Sequence, residues 1–502
     1  MRVLVSGATG YIGGRLVPQL LDAGHTVRAM TRTVGWLRDV PWADQVEIAT
    51  ADAFKPETLD EAVADVDVAY FLIHSIGSGS RFAARDREAA QNFAAACSRA
   101  GVSRIVYLGG LADENADDLS EHLASRAEVG RILLDSEVPA IVLRAAVILG
   151  SGSASFEMLR YLTERLPVMI TPRWLSTRIQ PIAVRDVLRY LADAATIGDD
   201  LNRTFDIAGP DVLTYQEMMQ RYAAVAGLRK RIIVGVPVLT PRLSSHWVGL
   251  VTPVPGALAK PLVESLRTEV IAREHDIAEY IPDPADGLLG FERAVELALA
   301  RIREANVETR WSEGEWPGAP SDPLPTDPDW AGGSLYTDLR QQQVQASAPA
   351  TWKVLESIGG EVGWYSFPLA WAVRGWLDRL VGGVGLRRGR RDPNTLRVGD
   401  ALDFWRVEEI IRGELLRLRA EMRLPGLAWL EFRIEAASTA EPGDISGLNL
   451  VQKATFQPHG LAGHVYWKSI APFHGIVFGG MIRNISAAAE TEAAAGDPTS
   501  PR

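Results

Sequence analysis

The sequence predicts an α/β domain built on a doubly wound parallel sheet, followed by a second, smaller α+β domain. Three observations carry this. Over residues 1–150, short β-rich apolar runs alternate with helical patterns, the mark of βαβ units with right-handed crossovers. Residues 309–333 then hold five prolines and four glycines, a linker composition. Beyond that break the chain changes character. Eight of the 14 tryptophans lie from Trp330 onward, and 19 basic residues face 18 acidic ones after residue 330, so the net charge of −11 belongs almost wholly to the first part.

Taken in order, strands are expected at Val3–Ser6, Thr26–Met30, Val46–Thr50, Val68–Ile73, Arg104–Leu108 and Ala140–Leu143. Helices are expected at Gly14–Asp22, Glu57–Ala64, Arg85–Ala100 and Ser120–Asp135, and later at Arg185–Asp193 and Tyr215–Ala226. Phe205–Ala208 reads as a late strand, and the Pro-rich, apolar residues 229–262 as a substrate-side cap. After the linker, the patterns predict strands at Thr337–Ala346, Ala401–Ile411, Leu415–Met422, Leu427–Ala436, Asn449–Pro458 and Gly463–Ile470, with helices at Ala350–Ser357 and His474–Ile485. The domain reading is therefore 1–305, a linker at 306–333, a second domain at 334–486 and a disordered tail at 487–502.

Composition narrows the classes. At 502 residues, 47% hydrophobic and 23% charged, the chain has ordinary globular composition and length for two to four domains. The acidic balance argues against a general nucleic-acid binder. A single cysteine, Cys97, excludes an intrachain disulfide and fits a reducing compartment. No run of 18 apolar residues occurs, and Met1-Arg2 leads straight into a strand rather than a leader, so cytoplasmic residence is the expectation. No metal site is expected, because His459 and His464 stand without a ligand set at usable spacing.

The first strand runs into Gly7-Ala8-Thr9-Gly10-Tyr11-Ile12-Gly13, which opens the first helix. Glycines at this spacing let the backbone turn tightly and approach a pyrophosphate, whose charge the helix N-terminus stabilises. The second strand ends Met30-Thr31-Arg32, with no acid between Asp22 and Asp39 to hold a ribose hydroxyl. Arg32 beside Thr31 suits a 2′-phosphate, so NADP is expected over NAD. Asp52-Ala53 at the end of the third strand can meet adenine, and His74-Ser75 at the end of the fourth lies by the expected cofactor ribose.

These residues resemble the atypical and extended short-chain dehydrogenase/reductases, in particular the NmrA-like branch, over about residues 1–300. The resemblance rests on the three glycines, Asp52, Val106-Tyr107-Leu108, Leu143-Arg144-Ala145, Gln180-Pro181-Ile182 with Arg185-Asp186, and Gly209-Pro210. It implies a dinucleotide site made by Gly7, Thr9, Gly10, Tyr11, Ile12, Gly13, Thr31, Arg32, Asp52, Ala53, His74, Ser75, Gly109, Arg126, Arg144 and Ala145. It also implies a serine after the fifth strand and a Tyr-x-x-x-Lys on the next helix. Neither is present: the serine position reads Gly109-Gly110, and no tyrosine has a lysine four residues on. At the helix position stand His122 and Arg126, whose i, i+4 spacing puts them on one face. His122 is the first candidate acid/base, kept neutral by Arg126. His74 is the second. The alternative is a site that has lost its acid/base and only holds cofactor. Tyr161-x-x-x-Arg165 is similarly spaced but lies beyond the sixth strand, where packing is the expectation.

The second domain resembles START-like helix-grip domains of the polyketide cyclase (SRPBCC) type in its element order, and also the poorly characterised domain often fused to NmrA-like proteins. The resemblance implies an apolar cavity, with Trp364, Trp371, Trp405, Trp429 and Trp467 as candidate ligand contacts. Residues 363–391 turn from aromatic to basic, which raises peripheral membrane contact. The functional expectation is an NADP-dependent oxidoreductase for a lipid-like or polycyclic carbonyl, alcohol or alkene delivered by the second domain. The alternative is a non-catalytic NADP sensor; a sugar-nucleotide epimerase fits less well, since that chemistry leans on the same missing pair.

Overall fold

A computed structural model describes residues 1–38, 40–74, 82–112, 119–198, 201–236, 251–266, 268–305, 324, 326–328, 331–359, 363–365, 395–422, 424–436 and 448–496. The chain divides into two compact units, Met1–Gly333 and Ser334–Arg502.

In the first unit, β1 (Arg2–Ser6), α1 (Tyr11–Asp22), β2 (Thr26–Thr31), β3 (Glu47–Thr50), α2 (Pro56–Val63), β4 (Val68–Phe71), α3 (Phe82–Ala100), β5 (Arg104–Gly110), α4 (Glu121–Leu134) and β6 (Ala140–Ala145) alternate as βαβ patterning requires. After α5 (Ala154–Arg165) and α6 (Val184–Asp193), β7 (Arg203–Ile207) completes a seven-stranded sheet of order β7-β6-β5-β4-β1-β2-β3. Every pairing in it is parallel. Both faces are covered. Val3, Val5, Val27, Tyr70 and Ile141 pack with α1 and α6 on one side, while Leu4, Ala69, Phe71, Ile105 and Val142 pack with α3 and α4 on the other. That two-sided burial is why the strands read as continuous apolar runs rather than alternating ones. Chain order reverses between β1 and β4, so a crevice opens at their carboxyl ends. Ser6 closes its floor by donating to Tyr70 O at 2.7 Å and accepting from Leu72 N at 3.2 Å.

Residues 229–262, expected as a substrate-side cap, are described in part. Ile232–Val236 pairs in parallel with Val168–Pro172, and Gly256–Ser265 is helical; residues 237–250 lie outside the described residues. The expected linker is corrected at its end. Leu324, Asp327 and Ala331–Gly333 pack on the first unit, through Arg15, Gly14 and Glu157. Proline and glycine there set turns on a surface instead of spacing two bodies.

Among the described residues, the second unit is a six-stranded antiparallel sheet and two helices. β8 (Tyr336–Val344) is followed by α7 (Ala348–Glu356), then β9 (Ala401–Leu402), β10 (Trp405–Ile411), β11 (Leu415–Ala420), β12 (Gly426–Ala436), β13 (Leu448–Pro458) and α8 (Gly460–Gly496), in sheet order β8-β13-β12-β11-β10-β9. Leu430, Phe432, Leu450 and Ala454 meet Met481, Ile482 and Ile485 of α8. Three expectations are corrected. Ala401–Ile411 is two strands, broken at Asp403, which adopts φ +55°. Gly463–Ile470 is helix, not strand. Its β-prone residues are pinned by packing, with Trp467 stacked between Tyr336 (5.3 Å) and Phe456 (5.6 Å), and tertiary contact outweighs local propensity. Residues 487–496 continue the same helix: alanine and glutamate are strong helix formers, Ala489 is buried, and Glu490 accepts from Gln345 N at 3.0 Å.

Candidate active site

The site is built from the sheet's carboxyl edge. The glycine loop joins β1 to α1, and its three glycines are sterically required. Gly7 has φ +74°, and a Cβ there would stand 2.8 Å from Leu72 O. A Cβ on Gly13 would stand 2.2 Å from Gly7 O, a separation no side chain tolerates. Gly10 caps α1 without a side-chain hydrogen bond and is exposed, with Thr9, Tyr11 and Ile12 partly so. The first N–H groups of α1 are thus left for an anion. The residues fit a dinucleotide: a backbone cradle no larger residue could line, at the crevice where the strand order reverses.

On the adenosine side, Thr31 is buried and closes the turn after β2, its Oγ1 donating to Thr33 O at 3.1 Å. Arg32 is exposed and makes no hydrogen bond or ion pair among the described residues. Asp52 shapes its own turn by accepting from Phe54 N at 3.1 Å, and Ala53 O accepts from Asn92 Nδ2 at 2.9 Å. Arg85 lies 4.3 Å over the Phe54 ring. That pair adds a cation and an aromatic face beside the adenine end; no sequence signal joins residues so far apart.

On the nicotinamide side, β4, β5 and α4 bring the two candidate acid/base residues, His122 and His74, together with Arg126. His74 follows Leu72, the residue that crowds Gly7. His122 and Arg126 sit one turn apart on α4, whose N-cap Ser120 accepts from Leu123 N at 3.3 Å. At Gly110, where the resemblance expects a serine, a Cβ would stand 2.8 Å from Leu123 Cδ2, and the bare backbone lets α4 lie close on β5. Tyr107 Oη donates to Arg126 O at 3.3 Å, and the Arg126 guanidinium lies 5.6 Å from the Tyr107 ring centre. His122 Nδ1 and Arg126 Nη1 are buried without a hydrogen-bond partner among the described residues. Such atoms cost about 1–3 kcal/mol each unless something completes them, which points to a ligand's polar group. Burial first, then Arg126 and His74, pushes the His122 pKa down to about 3. His74 is shifted in the same direction by surrounding protein and Arg126, although its side chain is open to solvent, where water screens the effect. Both imidazoles are neutral near pH 7, as the Arg126 spacing implies.

Three sequence candidates, Arg144, Ala145 and Gly109, are engaged in the sheet itself. The Arg144 guanidinium is committed to the fully buried Asp206, at 2.7 Å, rather than turned to the glycine loop. Ala145 O accepts from Leu111 N at 2.8 Å and continues the β5–β6 pairing, with Gly109 opposite Arg144 in register. Ser75 lies outside the described residues. Beyond Gly110, a half-open cavity of about 460 Å³ is lined by Leu111, Ala112, Val212, Val270, Ile271 and Ala272, with Arg273 and the Arg178–Glu269 pair (2.7 Å) on its wall. No local sequence pattern marks this cavity, since its lining is assembled from segments as far apart as Leu111 and Arg273.

In the second unit, Trp364 donates Nε1–H to Asp403 Oδ2 at 2.7 Å and packs in the core with Phe404 and Trp405. Trp405 and Trp429 are buried with Nε1 unpartnered among the described residues. Trp429 alternates with Leu430 and Phe432, so it faces away from α8, on the side of the Arg417–Glu431 pair, and cannot line a cavity between sheet and helix. Trp467 is held in the Tyr336–Phe456 stack. Trp371 and most of 363–391 lie outside the described residues. Among the described residues, no three His, Cys, Asp or Glu are placed to hold a metal, and no helix is long and apolar enough to cross a membrane.

Residues 7–148 match the family described as NAD(P)H-binding. The first unit carries an NAD(P)-binding Rossmann domain. Residues 330–481 match a family described as a protein of unknown function, DUF2867. The chain is 28% identical over 309 residues to the ceramide reductase of Caulobacter vibrioides, covering 59% of this chain and 93% of that one. It is 34% identical over 116 residues to a 3β-hydroxysteroid dehydrogenase/Δ5→4-isomerase of Mycobacterium tuberculosis, covering 21% of this chain and 30% of the relative. Among solved structures, the triphenylmethane reductase of Citrobacter sp. complexed with NADP(H) is similar at 22% identity and TM-score 0.48, over 59% of this chain and all of that one.

Proposed function

We propose that the protein is an NADP-dependent oxidoreductase of atypical short-chain type, reducing a hydrophobic carbonyl or activated alkene or, in reverse, oxidising the corresponding alcohol. The observation that supports this most is the pair of buried polar atoms without a hydrogen-bond partner among the described residues, His122 Nδ1 and Arg126 Nη1, on the helix that packs against β5; just past the end of that strand, Leu111 and Ala112 join Val270, Ile271 and charged residues in lining the cavity. Likeness to a ceramide reductase over most of that enzyme's length favours a lipid-type substrate. The bound dinucleotide would supply the hydride. Arg126 stabilises the oxyanion that develops on the substrate as hydride reaches its carbon. His122, neutral, passes a proton through its ring N–H or orders the water that does so. The helix-grip element order of the second unit supports a START-like ligand-holding role, with Trp364 and Trp405 nearest its core. The test is NADPH oxidation across a panel of long-chain and polycyclic carbonyls. Turnover supports the enzyme; tight NADPH binding with no turnover favours the sensor reading, which the missing Tyr-Lys pair motivates.

Arg32 supplies the cofactor choice. Arg32→Ala is expected to raise the KM for NADPH by about 10–100-fold, the loss of a charge-assisted contact, and to leave that for NADH nearly unchanged. Equal losses for both would remove the 2′-phosphate assignment.

The histidines set a pH dependence. The folded pKa of His122, about 3, lies below the unfolded value of about 6.5, so the unfolded chain binds more protons between the two. This stability is fully present above about pH 6.5 and is lost as pH falls toward 3. Melting temperature is expected to drop from about pH 7.5 to about pH 5, with a shallower slope in His122→Gln.

A further inference from the structure

Leu324, residues 326–328 and residues 331–333 act as a strap on the helix that opens the glycine loop and on the turns beside it. Arg15, one turn past Tyr11 on α1, is 3% exposed and makes a bidentate pair with Asp327, itself 8% exposed, at 2.9 and 2.5 Å. The same guanidinium donates to Tyr11 O at 3.2 Å and lies 4.3 Å from the centre of the Tyr11 ring. Leu324 fills the space over Gly14, where a Cβ would stand 2.7 Å from its Cδ1. Asp327 also accepts from Leu324 N at 2.9 Å, which fixes the turn. Further along, Gly332 N–H donates to Glu157 Oε1 at 3.0 Å, and that oxygen also takes Gly152 N–H at 2.8 Å. Gly332 and Gly333 have φ of +82° and +89°, and a Cβ on Gly333 would press the Arg160 guanidinium at 3.1 Å. Tyr11 is thereby held between α1 and the 150–152 turn: its ring meets Gly152, and its hydroxyl is buried with no partner among the described residues. Leu324–Pro328 belongs to neither family match.

We infer that this strap is a positioning element of the dinucleotide site: docked through Asp327 on Arg15, it fixes the first turn of α1, so cofactor affinity depends on the strap and cofactor binding in turn tightens it. The inference rests on the assignment of the glycine loop to NAD(P). The physical route is short. The N–H groups that face a pyrophosphate belong to the residues between Gly10 and Gly13, and the strap covers Gly14 and the Arg15 side chain, which in turn braces Tyr11 in this first turn. Linkage makes the coupling reciprocal.

The test uses the full-length protein. NADPH is expected to slow hydrogen exchange at the amides of Asp327 and Gly332 by at least about fivefold, and Asp327→Asn to weaken NADPH by about tenfold, within the 5–150-fold range of allosteric couplings. Because a buried unpaired Arg15 can unfold the domain, Arg15→Met/Asp327→Leu removes both charges and keeps the volume. It is expected to show the same loss of affinity at an unchanged melting temperature. Unchanged NADPH affinity in a folded variant overturns the strap's role, whatever the exchange shows. If the wild-type protein binds no NADPH, it is the glycine-loop assignment that falls.

Discussion

The Gly13→Ala protein is expected to bind NADPH at least about 100-fold more weakly than the wild type, the scale of loss that an ångström's misplacement brings. The methyl group would stand 2.2 Å from the Gly7 carbonyl oxygen and 2.8 Å from its carbon, both backbone atoms that no rotamer change can move aside. Either α1 moves off β1 or the 7–10 turn opens, and both displace the N–H groups that meet the pyrophosphate. A stability loss of about 1–3 kcal/mol accompanies overpacking of this kind, so affinity must be compared in protein shown to be folded. Gly24→Ala is the control. Gly24 also has positive φ, at +80°, but lies at the other end of α1 with nothing within 4 Å of its missing Cβ. It is expected to cost about 1–2 kcal/mol of stability with no change in NADPH affinity. Titration by fluorescence or calorimetry, with thermal melts alongside, separates the two. Equal affinity in Gly13→Ala and wild type would mean that the loop is only a tight turn.

The α/β unit was legible because its signals are local. Strand-to-helix alternation and the glycine spacing lie within a few residues of each other, and both-face burial leaves apolar runs that stand out at β1, β4, β5 and β6. The second unit was legible in its strands and in the middle of its last helix, His474–Ile485, but not in the start of that helix. Gly463–Ile470 carries valine, tyrosine and tryptophan, which favour strand in isolation, and what makes them helical is Tyr336 and Phe456 from far along the chain. The strap was misread for the same reason: a Pro-Gly segment is a spacer until a partner such as Arg15 is known, and the two are 312 residues apart.

The candidate site divides along the same line. His122 and Arg126 could be found because helical spacing is a local rule, and His74 because it ends a strand at the crevice. That all three meet follows from β4, β5 and α4 packing side by side. Arg144 shows the reverse. It sits where the resemblance places a cofactor contact, but its register partner on β7 is Asp206, and a buried carboxylate claims the guanidinium. Register between non-consecutive strands is not written in either segment alone.

Arg126→Met is expected to lower kcat by about 100–1000-fold, the usual cost of removing one preorganised donor to an oxyanion, while NADPH affinity changes much less. Methionine keeps the stem packed beside Gly110, so the loss reads the charge and Nη1 rather than a cavity. The substitution also moves the histidines. Arg126 is the second cause, after burial, of the low His122 pKa and of the shift at His74. Removing the cation therefore raises both toward the ordinary value of about 6.5. In the wild type, kcat is expected to be flat in pH through the neutral range as far as His122 governs it, because the group titrates near 3. In Arg126→Met an acidic limb is expected to enter from below, and to vanish in Arg126→Met/His122→Gln if His122 is the titrating group. A residue that merely braces α4 would lower kcat without creating that limb. Should kcat fall less than tenfold with the pH profile unaltered, Arg126 does not face the reacting atoms. Should the wild type bind NADPH and turn over nothing, the same titration followed by histidine NMR still reports whether Arg126 keeps these imidazoles neutral, the property a sensor built on this cluster would also use.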